Sequence, residues 1–266
     1  MQVRKVASKQ NSRLKELRRA LAQPKHKAGG LVGLEGPHLV EEALRAGLAV
    51  KCIVAGESMQ PWVQSQKLSH ETEVLITPHD IVTSLLTTET PQPVAALVEQ
   101  PKWTWEDLLG TQESAALVVV LAGLQDPGNV GTILRSAEAF GATGVVSLPG
   151  TVNEWNPKAV RASAGSVLRV PVINTSVDDC FAHLSEANVT VLTTAVEGAQ
   201  DAAKSDLKRP VALILGNEGA GVAQAIAAKA DEAVTIPCPG PVESLNAAVA
   251  ASVLLYEAAR QRGAKR

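Results

Sequence analysis

The chain of 266 residues carries 25 Lys and Arg against 27 Asp and Glu, and is 45 % hydrophobic but only 3 % aromatic. That length and apolar content suffice for one large or two small domains and exclude disorder as the main state. The longest apolar runs, such as "LVVVLA" and "LIL", fall far short of the roughly 18 to 20 residues that a membrane-spanning helix needs. Charge is uneven along the chain: residues 1 to 27 hold nine Lys or Arg and one acid (+8), whereas residues 28 to 266 hold sixteen and twenty-six (−10). Arg260, Arg262, Lys265 and Arg266 add a second basic end, so both termini read as tails that are either solvated or laid against a polyanion such as RNA. The first 27 residues lack the apolar centre of a secretory signal, which makes a cytoplasmic protein the expectation. Cys52, Cys180 and Cys238 are odd in number and widely spaced, which argues against disulfides and a thiolate zinc site and for reduced core thiols.

From residue 31 the pattern alternates short apolar runs with amphipathic stretches. "LVGLEG" reads as a strand, residues 37 to 46 as a helix with Leu39, Val40, Ala43 and Leu44 on one face, and "VKCIVAG" as a strand. Pro37 suits a first helical turn and Gly47 a helix end. "EVLIT", "PHDIVTSLL" and "PVAALVEQ" continue the alternation to about residue 99, so a small α/β domain is predicted. Residues 100 to 115, "QPKWTWEDLLGTQESA", are polar and break the periodicity, which places a linker and a domain boundary there. Its Trp103 and Trp105 either stack on RNA bases or cover an interface.

Beyond the linker come "ALVVVLAG", a helix near 130 to 140, "GVVSLP", a helix near 157 to 163, "LRVPVI", a helix near 178 to 187, "VTVLTT", "VALILG", a short helix, "AVTIP" and a final helix over about 245 to 261. Strands this rich in Val, Leu and Ile, without polar alternation, predict a mainly parallel sheet covered on both faces. Ligands of such sheets bind at the carboxyl ends of the strands. Three of those ends carry Gly or Pro loops with polar groups. "LAGLQDPGNVGTILRSAEAFGA" presents Asn129 and then Arg135 after a strand, "LILGNEGAGV" presents Glu218 among Gly216, Gly219 and Gly221, and "IPCPGPVESLNAAVAASVLLYE" presents Glu243, Ser244 and Asn246 after Pro237, Pro239 and Pro241. Taken singly, Asn129, Ser244 and Asn246 also suit helix caps, and Arg135 a solvated surface.

Several chemistries are excluded by spacing. Glycines at 216, 219 and 221 do not form the dinucleotide GxGxxG pattern, and no GxxxxGK[ST] phosphate loop occurs. Ser244 lies in "VESLN", not GxSxG, and all five histidines precede it, so the serine-acid-histidine order of an α/β-hydrolase is absent. The histidines stand singly, without ligand spacing for a metal.

The three loop segments, in their order and spacing, resemble the signature motifs of the SpoU (TrmH-type) RNA 2′-O-ribose methyltransferases of the SPOUT superfamily. "NPKAVRASAGSVLRVP" is similar to the family's segment between the first and second motifs, and "LEGPHLVEEAL" with "TPQPVAALVEQP" to its ribosomal-protein-like substrate-binding domain. The resemblance implies an RNA substrate-binding α/β domain over residues 1 to 105, a linker at 106 to 114, and a SPOUT catalytic domain over 115 to 266. It also implies a deep trefoil knot, S-adenosyl-L-methionine in loops beginning at Gly216, Ile236 and Leu245, and a homodimer with no metal. Methyl transfer to a ribose 2′-hydroxyl of ribosomal RNA, with transfer RNA second, is the implied reaction. In that reading Arg135 activates the hydroxyl or clamps the ribose phosphate, and Asn129, Glu218, Ser244 and Asn246 fix the geometry. The rival expectation is an RNA-binding or ribosome-assembly protein that keeps the fold without catalysis.

Overall fold

A computed structural model describes residues 2–22, 24, 29–110, 115–195, 198–242 and 244–263. The chain divides into two compact units, Met1–Lys102 with Asn153–Leu168, and Trp103–Val152 with Arg169–Arg266. Residues 153–168, which sequence analysis places in the catalytic half, thus belong to the first unit. Lys25, His26, Lys27, Glu243, Lys265 and Arg266 lie outside the described residues.

In the first unit β1 (Gln2–Lys5) and α1 (Ser12–Ala22) precede β2 (Leu31–Glu35), α2 (Pro37–Arg45), β3 (Val50–Gly56), α3 (Gln60–Ser65), β4 (Glu73–Thr77), α4 (His79–Thr83) and β5 (Val94–Glu99). The sheet order is β1-β4-β3-β5-β2, with β5 antiparallel to both its neighbours and the remaining pairs parallel. α2 starts on Pro37 and ends as the spacing predicts. Gly47, at φ 71°, is followed by Leu48, whose N–H reaches back to the Ala43 carbonyl at 3.0 Å, while the Gly47 N–H bonds that of Leu44.

The basic N-terminus is not a tail. β1 pairs in parallel with β4, and α1 turns Leu14, Leu17 and Leu21, at i, i+3 and i+7, into a core with Cys52, Val54, Leu75, Ile81 and Leu97. A Cβ at Gly33 on β2 would overlap the Leu21 side chain, so α1 rests directly on the sheet. The tail expectation failed because the high density of Lys and Arg hides a three-leucine stripe whose burial outweighs the charge.

The second unit begins with α5 (Trp105–Leu109), inside the segment expected to be a linker. Thr104 and Asp107 form a reciprocal cap, Leu108 is fully buried, and a Cβ at Gly144 would overlap it. Trp105 stacks on His183 at 4.4 Å, so it covers an interior surface. The unit continues with β6 (Leu117–Ala122), α6 (Pro127–Ala139) and β7 (Gly144–Ser147), and resumes after α7 (Pro157–Ala162), which belongs to the first unit. It then runs through β8 (Val172–Asn174), α8 (Val177–Glu186), β9 (Thr190–Thr194), β10 (Gln200–Asp201), β11 (Val211–Gly216), α9 (Gln224–Ala227), β12 (Glu232–Thr235) and α10 (Ala247–Gln261). "LRVPVI" yields only the short β8, because a 3₁₀ turn over Ser166–Leu168 takes up the preceding residues.

Seven strands form a wholly parallel sheet in the order β10-β12-β9-β11-β6-β7-β8. Every residue of β6 is buried, which explains its unbroken apolar run. Chain order reverses between the central neighbours β6 and β11: the connection from β6 leads to β7 on one side, and that from β11 leads toward β12 on the other. Their carboxyl ends therefore leave a crevice.

The C-terminal arginine is also structural. Arg262 is half-buried, and its guanidinium donates to the carbonyls of Leu207, Arg209, Ala115 and Ala116. Cys52 and Cys180 are buried, which pushes each thiol up to about 12, whereas Cys238 is only half-buried. Among the described residues no helix is long and apolar enough to cross a membrane, and no group of His, Cys, Asp or Glu could hold a metal ion.

Since α1 closes the first core, Leu17→Ala is expected to lower unfolding free energy by about 2–5 kcal/mol in urea titration. A loss below about 0.5 kcal/mol would return the segment to the status of a tail.

Candidate active site

Local chemistry sets each loop. Asp126 caps α6 by accepting from the Gly128 N–H at 2.8 Å, with Pro127 in the first turn. Asn129 is therefore not the cap, and its carboxamide is free for other bonds. After β11, Gly216 has no room for a Cβ, which would overlap the backbone of Gly221 and Val222. This close approach lets Asn217 and Gly221 exchange two main-chain bonds of 2.9 Å. Asn217 Oδ1 accepts from the N–H groups of Gly219 and Ala220 at 3.0 and 3.1 Å, and its Nδ2 donates to the Gly123 carbonyl beyond β6 at 3.2 Å. The loops after β6 and β11 are thereby tied at the crevice where the sheet's chain order reverses.

A second tie joins all three polar loops. Asn129 Nδ2 donates to Glu218 Oε1 at 2.8 Å, and Asn246 Nδ2 donates to Asn129 Oδ1 at 3.1 Å. Asn246 also caps α10, its Oδ1 accepting from the N–H groups of Ala248 and Val249 at 2.9 and 3.3 Å. Capping and linking are thus simultaneous for this residue, because the two ends of one carboxamide serve different partners.

Beside these ties lies a cavity of about 600 Å³, walled by the ends of β9, β11 and β12 and by the segment leading into α10. Gly216, Ile236 and Leu245 all line it, as do Glu218 and Ser244. Leu215, Val242 and Leu254 supply apolar wall, and Thr194 and Thr235 add hydroxyl-bearing residues. The size falls within the roughly 300–1,000 Å³ of small-molecule and cofactor sites. Cys238 stands in the same wall, its thiol 3.4 Å from the Ile236 carbonyl, and is not a core thiol.

Arg135 is placed differently. It is exposed on α6, six residues beyond Asn129, does not line the cavity, and has no ion-pair partner among the described residues. The neighbouring face of α6 is occupied by α10, with Ser136 and Ser252 hydroxyls 2.7 Å apart.

Sequence reading passed over Asn217 as a site residue, although Asn before a glycine-rich turn signals a side chain that bonds its own backbone two residues on. It also passed over Thr194 and Ala195 at the end of β9. "VLTTA" carries no Gly or Pro loop, and only the strand order brings this end beside β11 and β12.

The fold of the second unit is a parallel α/β sheet with a cavity of small-molecule size at the carboxyl ends of β9, β11 and β12. Residues 116–256 match the SpoU rRNA Methylase family, and residues 11–96 match the MRM3-like substrate binding domain. The chain belongs to the SpoU rRNA methylase family. It is 32% identical, over 96% of its length and 98% of the relative's, to the 23S rRNA (guanosine(2553)-2′-O)-methyltransferase RlmP of Bacillus subtilis. Among solved structures it is similar to the AdoMet-bound rRNA methyltransferase of Sinorhizobium meliloti, with a TM-score of 0.85, 31% identity and 98% of each chain covered. It is also similar to the SpoU methyltransferase AviRb of Streptomyces viridochromogenes in complex with AdoMet, with a TM-score of 0.81, 29% identity, and 97% and 100% covered.

Asn246→Ala removes both the α10 cap and the bond to Asn129, and is expected to cost about 1 kcal/mol in urea unfolding. Asn246→Asp keeps the capping oxygen but loses the donor to Asn129, so its stability should stay within about 0.5 kcal/mol of the parent. Equal losses in the two variants would show that the cap is not what the oxygen supplies.

Proposed function

We propose that the chain is an S-adenosylmethionine-dependent RNA 2′-O-methyltransferase acting on the ribose of a guanosine in 23S ribosomal RNA. The observation that carries this reading is the cavity at the carboxyl ends of β9, β11 and β12, with Gly216, Ile236 and Leu245 in its wall and the Asn129–Glu218–Asn246 bonds beside it. The guanosine and 23S assignments are supported by the names of RlmP and of the RlmB 23S rRNA (guanosine-2′-O-)-methyltransferase of Xanthomonas campestris pv. campestris. The latter is 40% identical over 60% of this chain and 66% of its own.

The cavity's chemistry fits the cofactor. Leu215, Ile236, Val242 and Leu245 offer apolar surface for an adenine, and the Glu218 carboxylate offers a negative charge toward a sulfonium. S-adenosylmethionine bound there would supply an electrophilic methyl to the ribose oxygen, the sulfonium leaving as a neutral thioether and the hydroxyl proton passing to solvent. Asn129 and Asn246 hold the three loops in one arrangement, which would shorten the search for an aligned approach of acceptor oxygen and methyl. Glu218 accepts from Asn129 and stays fixed on the rim. The guanidinium of Arg135 clamps phosphate and steadies the developing alkoxide.

A homodimer completes this reading. Val249, Val253 and Tyr256 are 48%, 39% and 56% exposed at i, i+4 and i+7 of α10, and with Thr132, Ala248 and Ser252 they line an open apolar groove. The packing of α10 against α6 and β11 is compatible with the trefoil knot proposed for this half of the chain. Cytoplasmic residence follows from an rRNA substrate.

Incubation with labelled S-adenosylmethionine and unmodified 23S rRNA should place label in an alkali-resistant dinucleotide containing guanosine. Absence of label from every RNA tested, with RNA binding intact, would favour a protein that keeps the fold without catalysis. Arg135→Ala should lower turnover about 100-fold while leaving cofactor affinity unchanged; loss of cofactor affinity would remove the proposed role. Val253→Asp should convert a dimer to a monomer in sedimentation velocity, and an unchanged mass would place the interface elsewhere.

A further inference from the structure

Exposed cations in the first unit fall into two groups. Some have carboxylate partners: Arg13 bonds Glu16 and Glu73 at 2.8 and 2.9 Å, Arg45 reaches Glu42 at 2.6 Å, Lys51 meets Glu99 at 3.0 Å, and Arg4 lies 3.6 Å from Glu73. Lys5, Lys9, Lys15, Arg18 and Arg19 are also exposed but have no ion-pair partner among the described residues. The single acid of residues 1 to 27, Glu16, is already engaged by Arg13.

The helix makes this group a surface. Leu14, Leu17 and Leu21 fix which side of α1 faces the core, so Lys15, Arg18 and Arg19, at i, i+3 and i+4, share the outward side. Lys15 and Arg19 lie about 6 Å apart along the axis. Lys5 and Lys9 continue the charge from the end of β1 toward α1. Three like charges on one turn repel one another by a few tenths of a kcal/mol per pair, a cost that a polyanion would relieve. The chain's net charge is −2, so this concentration does not reflect a generally basic protein.

We infer that the outward face of α1, built on Lys15, Arg18 and Arg19 and extended by Lys5 and Lys9, is the phosphate-backbone docking surface of the first unit for the RNA substrate. This inference rests on the RNA methyltransferase reading and assigns the contact to particular side chains. Residues 2–22 contain no aromatic, so the surface attracts and orients RNA but does not stack on bases. Specificity must come from other parts of the chain. Because α1 is also a core element, the docking surface is rigid, and its cations lose less freedom on binding than they would on a flexible tail.

The test uses the full chain carrying K15Q/R18Q/R19Q, with K67Q as an exposed, unpaired cation elsewhere in the same unit. Binding to unmodified 23S rRNA transcript is measured across a salt series. The triple variant should reduce the slope of log affinity against log salt by about 2 and bind about 100-fold more weakly near 0.1 M salt, with the curves converging near 1 M. Its loss should be the same for an unrelated RNA of equal length, its thermal midpoint should be unchanged or raised, and K67Q should behave like the parent. An unchanged slope, or an equal change in K67Q, would overturn the inference. So would loss of binding to phosphatidylserine vesicles with RNA binding intact, which would make the surface a membrane contact. Methyl transfer is read separately on the same transcript. Normal transfer by the parent with an unchanged slope in the triple variant refutes the docking surface alone, whereas a changed slope without transfer by the parent supports the surface and refutes the enzyme reading.

Discussion

One carboxamide holds the candidate site together. Asn129 donates to Glu218 and accepts from Asn246, so a single planar group fixes the loops after β6 and β11 and the entry to α10. Those segments are 89 and 117 residues away from it in sequence, and their loops border the crevice that strand order creates. The donor and acceptor of an amide cannot be exchanged, so each partner's identity is constrained: a carboxylate on one side and an N–H donor on the other. Asn246 meets that demand while its oxygen caps α10. Helix start and site geometry therefore meet in one side chain.

The proline-rich stretch "IPCPGPVESLN" takes its meaning from this arrangement. Pro237, Cys238, Val242, Ser244 and Leu245 form cavity wall between β12 and α10. Prolines at 237, 239 and 241 restrict the unfolded loop and so reduce the entropy lost in holding it against a ligand. Gly216 acts in the opposite way at the neighbouring strand end. There the backbones of Gly216, Gly221 and Val222 approach so closely that any side chain would overlap them. A stiff loop and a bare strand end together define one wall.

The first unit shows how charge and burial share one helix. α1 carries four cations, Arg13, Lys15, Arg18 and Arg19, and three of the protein's most buried leucines. A charge count alone makes such a segment a tail, but a period of three to four residues in Leu14, Leu17 and Leu21 makes it a core element. Arg262 repeats the lesson at the other terminus, where four main-chain carbonyls, not a polyanion, accept from its guanidinium.

Much of the architecture was legible from residues alone. Unbroken apolar runs foretold the parallel sheet, Pro37 and Gly47 bounded α2, and three polar loops held the residues, Asn129, Glu218 and Asn246, that bond to one another, because propensity, capping and burial patterns act over a few neighbours. Strand order did not follow from them. The sequence says that "VTVLTT" is a strand but not that it sits beside β11 and β12, and so it hid Thr194 from view as a cavity residue. Nor could it decide between cap and network for Asn246. Local patterning fixes what each segment is. Which segments meet is settled by packing across the whole chain, where contacts between residues a hundred positions apart carry no signature in either one's neighbourhood.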